Sequence, residues 1–146
     1  MEERKTVNTE NARDGEQVNE LKKIEKEGFC PFCQRNYLEK EHPHPIFLET
    51  KYWLATKNRW PYENARVHLL LIYKDHITSL EEMSAEAWQE LHGLIVQLKK
   101  EKDIPGGAFL MRFGDSRYTG ATVSHLHAQI ISGNPDSGKK VFARVG

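Results

Sequence analysis

Three observations on this 146-residue chain predict an α+β fold, an antiparallel sheet of about five strands with one long helix packed on one face and a site on the other. Segments rich in β-branched and aromatic residues recur between turn signals. One of them, Ala65 to Tyr73, ends in a continuous apolar run, as a buried central strand does. A single stretch places apolar residues at helical intervals behind an N-terminal capping pattern.

From Met1 to about Gly28 the chain is dense in Glu, Lys, Asn and Arg. Few large apolar residues are available to offset the entropy of ordering it, so residues 1–28 are expected to be mostly a charged, mobile N-terminal tail. Within it Val18, Leu21, Ile24 and Phe29 hint at a short amphipathic helix that leads into Cys30 and could dock on the domain. Pro45–Thr50 and Tyr52–Thr56 read as two strands of a hairpin turning at Lys51. The polar, Pro-containing stretch Asn58–Asn64 then feeds the central strand. Ser79 stands three residues before Glu82, a capping-box spacing, and Trp88, Leu91, Ile95 and Leu98 follow at helical intervals up to Lys99 and Lys100. Two last strands, Ala108–Phe113 and Ser124–Ile131, flank a loop with Gly114, Gly120 and several hydroxyls. The domain is expected over residues 29–133, with residues 134–146 as a C-terminal tail.

At 38% hydrophobic residues the chain is long enough for one core and hence one active site. Lys plus Arg and Asp plus Glu both number 21, so no global positive field gathers nucleic acid, and a small charged ligand is expected. No apolar run approaches the roughly 20 residues of a membrane span, and the charged start lacks the apolar centre of a secretory signal, so a cytoplasmic location without membrane association is expected. The only cysteines, Cys30 and Cys33, have a spacing that in a reducing compartment suggests metal binding or redox chemistry before a disulfide.

Chemistry concentrates in His125-Leu126-His127-Ala128-Gln129. Side chains alternate along a strand, so His125, His127 and Gln129 share one face while Leu126, Ala128 and Ile130 take the other. Three polar side chains in a row are poor packing, because each buried polar atom needs a partner. Just upstream, Gly120, Thr122 and Ser124 supply backbone and hydroxyl donors of the kind phosphate oxygens require.

The run Thr119-Gly120-Ala121-Thr122-Val123-Ser124-His125-Leu126-His127-Ala128-Gln129 resembles the signature of the histidine-triad superfamily of nucleotide-binding proteins. Most members read His-x-His-x-His. The Gln ending resembles the nucleotidyltransferase branch, which includes galactose-1-phosphate uridylyltransferase and diadenosine tetraphosphate phosphorylases. The resemblance implies His127 as nucleophile toward the α-phosphorus of a nucleotide, a nucleotidyl-histidine intermediate, and a homodimer. Gln129 can donate to a phosphoryl oxygen but cannot shuttle protons near neutral pH, so leaving groups that need no proton are favoured and phosphoramidates are expected to be poor substrates.

Cys30 and Cys33 offer half of a tetrahedral zinc site, the other ligands to come from His42, His44, His68, His76, His92 and His125. The resemblance selects His76 and His125, giving a structural zinc with four protein ligands; His42 and His44 are the rival pair. Asn58 matches the position where relatives bind ribose hydroxyls, and is equally a common turn residue. Trp60 and Tyr62 can stack on a base or cap the core. His68 falls where relatives place a strand histidine, in a catalytic role or as a hydrogen-bonded core residue. Thr122 stands where relatives contact the α-phosphate, Ala121 replaces a Gln, and Asp115, Ser116, Arg117 and Thr119 are candidates to compensate, Arg117 by pairing with a distal phosphate.

The expected activity is nucleotidyl transfer or phosphorolysis on a dinucleoside polyphosphate or nucleotide sugar, with a hydrolase releasing nucleoside monophosphate as the near alternative. A nucleotide-binding regulatory module with weak or no catalysis is the reading of a different class. A DNA-end repair enzyme would need basic or zinc-finger extensions, against which the balanced charge and short tails argue.

Overall fold

The computed structural model describes residues 6–13, 15–33, 37–38 and 44–146. Strands β1 (Leu48–Glu49), β2 (Trp53–Lys57), β3 (Ala65–Tyr73), β4 (Ala108–Met111) and β5 (His127–Gly133) form one sheet in the order β1-β2-β3-β5-β4, every neighbouring pair antiparallel. The expected α+β architecture is present. The apolar run of β3 sits at the centre, buried from His68 to Tyr73. The hairpin at Lys51 is present with shorter strands, Leu48 pairing with Ala55.

Besides a single-turn helix, α3 (Ser116–Thr119), two longer helices flank the sheet, α1 (Gly15–Glu27) and α2 (Ala85–Glu101). Ala87, Leu91, Leu94 and Leu98 of α2 are buried with Trp53, Leu69, Leu71, Leu126, Ala128 and Ile130 in the main core. Two details differ from expectation. The Ser79–Glu82 capping box starts a separate turn, Leu80–Glu82, and α2 begins afresh at Ser84, whose hydroxyl accepts from the Ala87 amide at 3.1 Å. Trp88 is 49% exposed, because the buried stripe runs through Ala87 and Leu94 instead.

Helix α1 is the docked amphipathic helix that Leu21 and Ile24 hinted at. These two residues bury against Val7 and Val123, so over its described residues the N-terminal segment packs on the domain rather than trailing from it. Few apolar residues are involved, but they meet a ready-made face. The same segment takes up the start of the last expected strand: Val7 bridges Val123, the Asn8 amide donates to the Thr122 carbonyl at 2.8 Å, and the Ser124 amide donates to the Thr6 carbonyl at 2.7 Å. Pairing between β3 and β5 therefore begins at His127, not Ser124. The loop before it contains α3, capped by Asp115 and closed by Gly120 at φ +76°, a conformation glycine adopts without strain. Among the described residues no helix is long and apolar enough to cross a membrane.

Candidate functional site

The antiparallel register puts His127 opposite Ile72 and Gln129 opposite Leu70, on the sheet face turned away from α2. Both are buried, at 7% and 6% exposure, and both line a cavity bounded by α1, the Asn58–Tyr62 connection and the Gly120–Val123 turn. Leu126 and Ala128 face the core, as the alternation predicts.

The hydrogen bonds assign each ring its proton. His127 Nδ1–H donates to the His125 carbonyl at 2.7 Å, which leaves a lone pair on Nε2. Burial, opposed by that hydrogen bond, lowers the His127 pKa to about 4, so the imidazole is neutral at pH 7. The Tyr62 amide donates to His68 Nδ1 at 3.0 Å, so His68 carries its proton on Nε2 and donates to Gln129 Oε1 at 2.5 Å. That bond occupies the oxygen of the Gln129 amide and leaves its NH2 group to donate elsewhere. His68 is likewise neutral, its pKa lowered to about 4 chiefly by burial.

At the other end of the His125–Gln129 segment, one ligand atom each of Cys30, Cys33, His76 and His125 lies within 4.8 Å of all the others. His125 Nδ1 is 3.3 Å from Cys33 Sγ, 3.6 Å from Cys30 Sγ and 3.2 Å from His76 Nδ1, and Cys33 Sγ is 3.2 Å from His76 Nδ1. His125 Nε2–H donates to the Tyr73 carbonyl at 2.5 Å, turning its other nitrogen toward the thiols. Burial pushes the Cys30 thiol up to about 12, a thiol that ionises readily only beside a cation. His44 is not part of this cluster, and His42 lies outside the described residues.

Asn58, Trp60, Tyr62, Gly120, Ala121 and Thr122 line the His127 cavity; Ser124 does not, and lies beside His125 in a smaller neighbouring cleft. Asn58 Oδ1 accepts from the Trp60 amide at 2.8 Å, a turn role. The Trp60 indole N–H is buried without a partner among the described residues. Arg117 is 76% exposed and bound to Asp115 at 2.6 Å, away from the cavity. Arg13, Arg59, Arg112 and Arg144 line it instead, and only the fold brings them there. Arg112 lies two residues beyond Leu110, which pairs with Gln129, and so belongs to the same face, a placement that depends on strand register.

The family model described as HIT domain matches residues 39–136. The chain belongs to this family. Among solved structures it is similar to a HIT family hydrolase from Clostridium thermocellum, with 29% identity over 77% of this chain and 96% of that one, TM-score 0.57. It is also similar to a histidine triad protein from Clostridium difficile, with 27% identity over 79% of this chain and 95% of that one, TM-score 0.57. A Zn-bound histidine triad family protein from Mycobacterium smegmatis shares the fold at 20% identity, covering 80% of this chain and 82% of that one, TM-score 0.58.

Proposed function

We propose that this HIT-domain protein is a nucleotidyl transferase or phosphorylase acting on phosphoanhydride-linked nucleotides, dinucleoside polyphosphates or nucleotide sugars, through a covalent bond to His127. The observation that carries the reading is the proton assignment: a neutral His127 with Nε2 available, beside a Gln129 amide whose oxygen is occupied. His127 Nε2 forms a bond to the α-phosphorus as the bond from that phosphorus to the bridging oxygen breaks, its electron pair leaving with a phosphate that needs no proton. Gln129 donates to a non-bridging oxygen as charge builds. An acceptor oxygen then attacks the phosphorus, and the nitrogen regains its electron pair. Gly120 and Thr122 would contact the α-phosphate and Asn58 border the ribose, a reading supported by their lying on the cavity wall; Ser124 would act on phosphate only through its neighbours.

We infer a structural zinc at Cys30, Cys33, His76 and His125. Ligand-to-ligand distances in a tetrahedral zinc site of this composition are about 3.4 to 3.8 Å, from bonds of about 2.3 Å to sulfur and 2.0 to 2.1 Å to nitrogen. The 3.6 Å separation falls in that range and the three of 3.2 to 3.3 Å lie slightly below it, so the four groups are close enough to share one ion. When bound, the ion would supply cross-linking and charge rather than a reacting centre, tying the segment after α1 to His125, whose carbonyl orients His127.

Hydrolysis is the second reading, favoured by likeness to a protein described as a HIT family hydrolase. Product analysis with and without inorganic phosphate separates the two. Nucleoside diphosphate formed only with phosphate supports phosphorolysis; nucleoside monophosphate regardless of phosphate means water is the acceptor. Tight nucleotide binding without turnover would mean a regulatory module. A cytoplasmic homodimer free of nucleic acid is part of the proposal, to be checked by scattering mass in solution and a nucleic-acid binding assay.

A further inference from the structure

Among the described residues, four arginines and no Asp or Glu line the cavity that holds His127 and Gln129, although acids and bases balance over the whole chain. Arg59 is matched by Glu20 at 3.5 Å. Among the described residues Arg112 is held only by neutral acceptors: its Nε donates to the Thr119 carbonyl at 2.8 Å, and its Nη2 to the Tyr62 hydroxyl at 2.9 Å and the Arg144 carbonyl at 2.6 Å. Among the described residues no carboxylate forms an ion pair with it. A half-buried guanidinium without a counter-charge is costly unless an anion completes its surroundings.

The position of Arg112 indicates which anion. The ladder between β4 and β5 ends with Met111 opposite Ala128, and its register continued by one residue sets Arg112 opposite His127. On the nucleotidyl-transfer reading the neutral Gln129 amide and the Gly120–Thr122 turn would serve the α-phosphate at His127, which leaves the Arg112 cation for a second phosphate.

Resting on the nucleotidyl-transfer reading, we propose that Arg112 receives the first phosphate of the leaving group, so that the site selects substrates with at least two linked phosphates. As the bond from the α-phosphorus to the bridging oxygen breaks, the electron pair and one unit of negative charge pass to the departing phosphate. A guanidinium fork meets such oxygens in bidentate fashion without transferring a proton. A leaving group that contains no phosphate gains nothing from it.

The test compares Arg112→Gln with the unaltered protein on two substrates of the same nucleoside: a dinucleoside tetraphosphate, and a p-nitrophenyl ester of the monophosphate. The expected result is a loss of kcat/KM of roughly 10- to 100-fold for the tetraphosphate and less than about threefold for the ester, with Arg112→Lys intermediate. Equal losses on both substrates, or none on either, would overturn the assignment while leaving His127 chemistry intact. If the unaltered protein turns over neither substrate, the nucleotidyl-transfer reading itself fails. Calorimetry then decides Arg112 alone: nucleoside diphosphate should bind more tightly than monophosphate, and Arg112→Gln should erase the difference. Equal affinities in the unaltered protein would refute the subsite.

Discussion

Replacing His68 by leucine removes the donor that orients Gln129. Gln129 and Tyr62, the partners left behind, are 6% and 8% exposed, so neither has ready access to water. The substitution orphans Gln129 Oε1 and the Tyr62 amide that His68 Nδ1 had accepted, each at a cost of about 1 to 3 kcal/mol. The expected destabilisation of about 2 to 6 kcal/mol is mostly below the 5 to 15 kcal/mol typical of a domain, so folded protein should remain for kinetics. Without the His68 bond the Gln129 amide can rotate and turn its oxygen toward the phosphoryl group, replacing a donor with a repelling acceptor. Donors of that kind contribute about 10²- to 10³-fold to rate, so a partial loss of roughly 10- to 100-fold in kcat is expected, with KM less affected. His68→Gln, which keeps a donor at the position, should recover part of the rate. Steady-state kinetics on a dinucleoside polyphosphate together with urea denaturation test this. A folded His68→Leu protein with kcat within about threefold of the original would refute the orienting role.

Three further outcomes are expected. Metal analysis should find one zinc per chain; Cys33→Ser or a strong chelator should release it and lower the melting temperature, and protein purified without chelator that carries no metal would contradict the site. His68 and His127 have pKa values lowered from 6.5 to about 4 on folding, so the unfolded chain binds more protons between these limits; their contribution to stability is fully present above pH 6.5 and is lost as the pH falls toward 4. The urea midpoint should therefore fall between pH 7 and pH 5, and a constant midpoint would argue against neutral buried imidazoles. Arg117→Ala should change neither the melting temperature nor kcat/KM measurably, because this exposed guanidinium meets Asp115 and not the cavity; a clear loss of activity would return Arg117 to the phosphate site.

The parts of the fold that were legible in sequence depend on local pattern. The apolar run of β3 and the alternation around His127 appear where the residues indicated, because burial of a strand is written in consecutive side chains. The shift of the capping box from α2 to a preceding turn shows that a local signal can be right about a turn and wrong about which helix it starts. Long-range pairing was not legible. That Val7 would bridge Val123, that His68 would hold Gln129, and that Arg112 would join the cavity follow from strand register and docking. Arg117 looked the better phosphate ligand because it stands in the glycine- and hydroxyl-rich loop, yet Asp115 two residues away satisfies it locally. The grouping of Cys30, Cys33, His76 and His125 was accessible only through resemblance, since the spacing of the cysteines leaves every histidine open as a partner.

The central claim is that His127 carries the nucleotidyl group, and rapid quenching during turnover followed by mass spectrometry of the intact chain and its peptides tests it most directly. The account predicts one nucleoside monophosphate unit on the peptide containing His127, labile in acid and absent from His127→Ala, which should also be inactive. Sustained turnover with no adduct, an adduct on another residue, or an active His127→Ala protein would contradict it.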